Sequence, residues 1–143
     1  MELPKEFGYV AGTAVASWFV HHMYMAFKAR KQFDVKYPAL YADATNCPNE
    51  ANRKSFNCVQ RGHQNSLETL PTFLGLLAIT GLKHPVTASG LGCLYLVGRV
   101  CYFNGYSTGD PDKRVNAGTL AGYIGLFGLV GTAIKIAASA FAK

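Results

Sequence analysis

From Phe7 to Phe27 the chain runs without a lysine, arginine, aspartate or glutamate, and three further apolar runs follow it: Leu67–Leu82, Val86–Tyr106 and Ala117 to about Ala138. A helix of about 20 mostly apolar residues crosses a hydrocarbon core of about 30 Å. The run from Leu67 is short for that, so its helix is expected to begin earlier, near Phe56, and to project beyond the bilayer. The pattern predicts an all-α membrane protein in a single domain, 1–143, with transmembrane helices at about 7–27, 56–82, 86–106 and 117–138. In the first run His21, His22 and Tyr24 stand near the end, where polar tips reach the interface. Small residues in the last two runs, Gly118/Gly122 and Gly90/Ala88 among them, offer surfaces for close helix contact.

Composition sharpens this reading. Half of the residues are apolar and 15% are charged, against about 25% in an ordinary soluble domain. The charges gather between the apolar runs instead of spreading along amphipathic faces, which argues against a water-soluble globule. The 143 residues set one domain as the ceiling, and four cysteines are too few and too irregular for a disulfide scaffold. Of the 14 lysines and arginines, Lys28, Arg30, Lys31, Lys36, Arg53, Lys54, Lys113 and Arg114 lie in two stretches between apolar runs. That distribution orients a membrane protein and does not indicate nucleic-acid binding. It puts the loops Lys28–Ser55 and Ser107–Asn116 in the cytosol, with both termini and the Lys83-His84-Pro85 turn in the lumen. The basic cluster follows the first run instead of preceding it, so that run does not read as a cleavable signal. In a cytosolic loop Cys47 and Cys58 are expected as free thiols, and Cys93 and Cys101 as apolar filler. No ligand spacing for a metal is present.

Polar residues in and beside the apolar runs carry the chemistry. Arg61, Asn65 and Glu68 fall at i, i+4 and i+7, one face of a helix; Tyr95, Arg99, Tyr102 and Tyr106 fall at i, i+4, i+7 and i+11, again one face. Both stripes end near the cytosolic surface. The plain structural reading pairs Arg61 or Arg99 with Glu68 and makes the tyrosines an interfacial belt. The charge sum opposes it: Arg30, Lys31, Arg61, Arg99, Lys113 and Arg114 converge there, and Glu68 is the one carboxylate within the runs to answer them. Arginine forks suit carboxylates, Glu68 suits an ammonium, and Asn65 serves either. A small zwitterion with two carboxylates and an amine fits that set.

The stretch Phe56-Asn57-Cys58-Val59-Gln60-Arg61-Gly62-His63-Gln64-Asn65-Ser66-Leu67-Glu68-Thr69-Leu70-Pro71, with Arg99-Val100-Cys101-Tyr102-Phe103-Asn104-Gly105-Tyr106 after it, closely resembles the family of membrane-associated proteins in eicosanoid and glutathione metabolism, MAPEG. The resemblance covers essentially the whole chain. It implies a four-transmembrane-helix bundle assembling as a homotrimer, with glutathione as co-substrate held between subunits at the cytosolic side of an intracellular membrane, that of the endoplasmic reticulum or the outer mitochondrion. Arg30, Arg61, Asn65, Glu68, Arg99, Tyr102 and Tyr106 match glutathione-contacting positions of the family. His63 stands where a relative has glutamine, Thr69 replaces a tyrosine, and Lys31 replaces a supporting arginine. The family's thiol-activating arginine falls on Lys113 by an ungapped count and on Arg114 if one extra residue is placed in Ser107–Asp112. Gly109-Asp110-Pro111 reads as a turn able to absorb an insertion, so Arg114 is taken as the catalytic cation, with Lys113 supporting it. The implied chemistry is attack of the glutathione thiolate on a lipophilic electrophile, an epoxide such as leukotriene A4, or reduction of a lipid hydroperoxide. The competing class is a non-enzymatic, lipid-presenting relative, which would lack the activating arginine and part of the stripe.

Overall fold

The computed structural model describes residues 2–23 and 27–142. Its helices are α1 (Phe7–Met23), α2 (Phe27–Phe33), α3 (Glu50–Gly81), α4 (Pro85–Tyr106) and α5 (Ala117–Phe141), with a 3-10 turn at Pro111–Arg114. No strand occurs among the described residues. The expected continuation of the first span through Tyr24 falls at 24–26, outside the described residues, and Phe27 opens α2.

The clearest departure from expectation is α3, which starts at Glu50 and not near Phe56. Cys47-Pro48-Asn49-Glu50 reads as turn chemistry, and it is also cap chemistry. The Asn49 side chain accepts from the Asn52 backbone N–H at 3.0 Å, and Glu50 places a carboxylate in the positive first turn. The helix runs on through Pro71, a residue that membrane-length helices tolerate.

The helix α4 lies centrally, against α1, α3 and α5. The core between them is built on Val10, Phe73, Leu77, Ala88, Tyr95, Leu96 and Leu129. Among the described residues two helices, α4 and α5, are long and apolar enough to cross a membrane, and α5 leaves most of its surface outward. Large apolar side chains stand exposed along the long helices, among them Trp18, Phe19, Ile79, Val97, Ile124 and Phe127. Water penalises such a surface and a bilayer does not.

The expected small-residue contact forms at Gly118 and Gly122. A Cβ on Gly122 would lie 2.6 Å from the Gly98 Cα, and one on Gly118 would strike the Cys101 side chain. Gly90, by contrast, faces open space, while Ala88 is buried. Because the close neighbour of Gly122 is backbone, α4 and α5 must separate to admit a side chain. Gly122→Val should therefore lower stability by about 1 to 3 kcal/mol. A thermal melt in detergent checks this: Gly131→Val, where a Cβ meets nothing within 4 Å, is the control, and equal midpoints for the two would refute the contact's importance.

A second, smaller core organises the long loop: Ala29, Val35, Ala42, Cys47 and Phe56. Asn57 clamps Ala42 from both sides, its Oδ1 accepting from the Ala42 N–H at 2.8 Å and its Nδ2 donating to the carbonyl at 2.9 Å. Asp43 accepts from the Thr45 hydroxyl and from the Thr45 and Asn46 N–H groups, bonds that hold its carboxyl below the usual range. All four cysteines are free thiols; Cys47 and Cys58 are buried, whereas Cys93, expected as filler, is exposed.

Candidate functional site

The stripe of α4 points inward as its spacing predicts. Tyr95, Arg99 and Tyr102 are buried and Tyr106 is half-buried, so these residues are not an interfacial belt. Arg99 reaches across to α3, where Nη1 donates to Asn65 Oδ1 at 3.0 Å and Nη2 to Ser66 Oγ at 2.8 Å. Its Nε is buried with no hydrogen-bond partner, and among the described residues no carboxylate lies within ion-pair distance of it. Burying a guanidinium against two neutral oxygens and a ring face, with no carboxylate, is costly. Arg99 is therefore a candidate anion-binding group.

From Arg99 the site continues toward the end of α4 as alternating cations and rings. Arg99 Cζ lies 4.6 Å from the Tyr102 ring centroid. Tyr102 and Tyr106 meet edge to face at 5.8 Å, and Arg114 Cζ stands 5.7 Å from the Tyr106 ring centroid. Each cation lies at the distance at which a ring's negative face attracts it.

The 3-10 turn sends the two loop cations to different neighbours. Asp110 caps it, accepting from the Asp112 N–H at 3.1 Å, as the Gly-Asp-Pro reading implies. The Lys113 carbonyl presses on Gly105, where a Cβ would collide with it, and Asn116 Nδ2 donates to the Lys113 and Cys101 carbonyls. With the backbone pinned there, the Lys113 ammonium turns outward to Asp110, 3.8 Å away, and its side chain is 63% exposed. Arg114 lies on the Tyr106 side, its Nη1 donating to the Pro111 carbonyl and standing 4.0 Å from the exposed Asp112 carboxylate, its own carbonyl accepting from the Thr119 hydroxyl and its side chain 38% exposed.

Along the α3 stripe Arg61 Nη1 donates to Glu68 Oε1 at 2.6 Å, in an ion pair whose side chains are 43% and 54% exposed, and Asn65 links the two helices, its side chain hydrogen-bonding Glu68 while its Oδ1 accepts from Arg99. Pairing of Arg61 with Glu68 is thus present, and pairing of Arg99 with Glu68 is not. His63 has a buried Nε2 without a hydrogen-bond partner. Arg30, on α2, makes its contacts within the loop. The Arg30 Nη1 donates to the Ala39 carbonyl at 2.8 Å, and its Cζ stacks 4.2 Å from the Tyr37 ring centroid, tying down the loop.

Ser66 escapes the charge-based reading. Its signal is a second periodicity on α3: Gly62, Ser66 and Thr69 at i, i+4 and i+7, small residues that let α4 come close. The Thr69 hydroxyl accepts from the Tyr95 O–H at 3.1 Å, and the space over Gly62 is filled by the Phe103 and Tyr106 rings. His21 lies buried one helix away, its ring 6.3 Å from that of Tyr95. Gln64, on the outer side, accepts from the Tyr41 hydroxyl and joins the loop to α3.

A family model described as the MAPEG family matches residues 9–135, a span that takes in most of α1, all of α2, α3, α4 and the 3-10 turn, and most of α5. With the inward-facing Arg99 stripe, the Arg114 turn and two helices fit to cross a membrane, that match shows that this chain belongs to the MAPEG family.

Proposed function

We propose that the protein is an integral-membrane glutathione transferase and glutathione-dependent lipid hydroperoxide peroxidase, most like microsomal glutathione S-transferase 3 among the family's members. The carrying observation is the buried, carboxylate-free Arg99 beside Asn65, Ser66 and the ring series that leads to Arg114. Arg99 takes a carboxylate of glutathione, Arg61 and Glu68 exchange their mutual pair for the tripeptide's carboxylate and ammonium, and Arg114 faces the thiol. His63, Asn65, Tyr102 and Tyr106 complete the pocket. Arg30 and Lys31 come from a neighbouring copy in a trimer of four-span bundles. The site faces the cytosol from the endoplasmic reticulum or outer mitochondrial membrane.

The nucleophile is the ligand's thiolate, so no protein cysteine is needed. Bringing a thiol from about 8.5 to about 7 takes about 2 kcal/mol of preferential stabilisation of the anion, within reach of one guanidinium in a partly dry site. With an epoxide, sulfur bonds to carbon, the carbon–oxygen bond breaks, and the alkoxide takes a proton from water. With a hydroperoxide, sulfur takes the terminal oxygen and releases the alcohol; a second glutathione then converts the sulfenic acid to disulfide and water. A lipophilic substrate entering from the bilayer meets the thiolate at the polar end of the helices.

Calorimetry with glutathione on the purified protein in detergent tests the reading, saturable heat being expected and no heat refuting it. Arg61→Ala should weaken binding by about 1 kcal/mol, because the pair it leaves is exposed and screened. An unchanged affinity would remove Arg61 from the pocket.

A further inference from the structure

The end of the molecule remote from Arg99 carries positive charge for which glutathione has no use. A cavity of about 470 Å³ lies between the α3–α4 turn and the last turns of α5, lined by Lys83, His84, Lys135, Ile136, Ser139 and Ala140. No carboxylate lines it, and among the described residues neither lysine has an ion pair. Lys135 is the one charged residue of α5. A charge in such a helix is costly at mid-bilayer and well placed at headgroup depth. At about 1.5 Å per residue it stands about 27 Å from Ala117, one hydrocarbon thickness along the helix.

The cavity's chemistry selects an amphipathic anion. Two ammonium groups and the His84 imidazole supply donors, and the positive end of α4 begins at His84, whose side chain makes no capping bond. The Ser139 hydroxyl donates to the Ile136 carbonyl at 2.8 Å, so anion binding falls to the lysines. Ile136 and Ala140 give apolar walls, and the exposed Ile134 and Phe141 extend that surface outward.

We propose that this cavity binds the phosphate of a phospholipid, Lys83 and Lys135 clasping the phosphate oxygens while Ile136 and Ala140 lie along the glycerol and the first acyl carbons. The lipid seats the ends of α3, α4 and α5 at the far membrane surface. The proposal rests on α4 and α5 crossing the membrane and is independent of glutathione.

The test is native mass spectrometry of the full chain released from detergent micelles titrated with dioleoylphosphatidylglycerol, dioleoylglycerol or inorganic phosphate. Wild type should retain phosphatidylglycerol and not the phosphate-free diacylglycerol. Lys83→Gln with Lys135→Gln should weaken retention about 30-fold, from two cations at a membrane surface. Lys83→Arg with Lys135→Arg should retain the lipid, as should Lys54→Gln at the opposite end. A thermal melt confirms that each variant is folded. Unchanged retention in the glutamine double variant overturns the proposal. So does equal retention of diacylglycerol by wild type, or saturation by inorganic phosphate with no phospholipid held. The diacylglycerol and phosphate arms use wild type alone and decide the matter even if a variant fails to fold.

Discussion

Arg114→Ala is expected to lower conjugating and peroxidase turnover by about 30- to 1000-fold, the equivalent of about 2 to 4 kcal/mol, while leaving glutathione binding nearly intact. The split follows from where its charge acts. In the proposed reading Arg99, Arg61, Asn65 and Glu68 grip the ends of the tripeptide, whereas Arg114, set against Tyr106 at the end of the ring series, serves the sulfur as charge develops on it. Stopped-flow absorbance of the thiolate in detergent gives the second reading: the anion seen on mixing wild type with glutathione should vanish in the variant. Arg114→Lys should recover part of the rate, because a desolvated lysine can lose its proton and has no fork. Lys113→Ala should change little, its ammonium being turned to Asp110 and solvent. Loss of turnover in Lys113→Ala with full activity in Arg114→Ala would move the activating role to the lysine. A folded wild type that binds glutathione without turning over would place the protein with the lipid-presenting branch, that of the five-lipoxygenase-activating protein.

Arg99→Met should weaken glutathione binding by about 1.5 to 3 kcal/mol, or about 10- to 150-fold in affinity, the cost of a lost hydrogen bond to a charged group. Stability should move far less. Methionine fills much of the volume and removes a buried charge that no carboxylate offsets, while Ser66 keeps its bond to the Gly62 carbonyl and Asn65 Oδ1 is left open. Arg99→Lys should recover little, since one ammonium on a flexible stem cannot replace a fork that spans Asn65 and Ser66. Calorimetry beside a thermal melt separates the outcomes. A large drop in melting temperature with unchanged affinity would make Arg99 a purely architectural cation.

Where helices lie was largely legible from the chain, because apolar runs bounded by turn residues act locally. Val86–Tyr106 and the start at Ala117 agree with α4 and α5 to within a residue. The start of α3 was not legible, since Asn49 and Glu50 serve a turn and a helix cap equally well and only the closed bond to Asn52 distinguishes them. The same division runs through the site. Spacing placed Tyr95, Arg99 and Tyr102 on one face, and that face is buried. Spacing also placed Arg61, Asn65 and Glu68 together, and Glu68 does bond both of the others; what spacing could not show is that Asn65 Oδ1 also crosses to Arg99.

By itself, then, the sequence determined the helical class, the faces that carry polar groups, the basic balance of the loops and the family. Those follow from periodicity and composition, which neighbours along the chain suffice to define. Tertiary structure decided partnership. It gave Arg99 two neutral oxygens and no carboxylate, drew Arg30 into the loop core, and set Lys113 against Asp110 but Arg114 beside the Tyr106 ring. The physical reason is that a side chain's partner depends on how close two helices come, and that distance is set by small residues facing each other across the gap: Gly98 with Gly122, and Gly62 beneath Phe103.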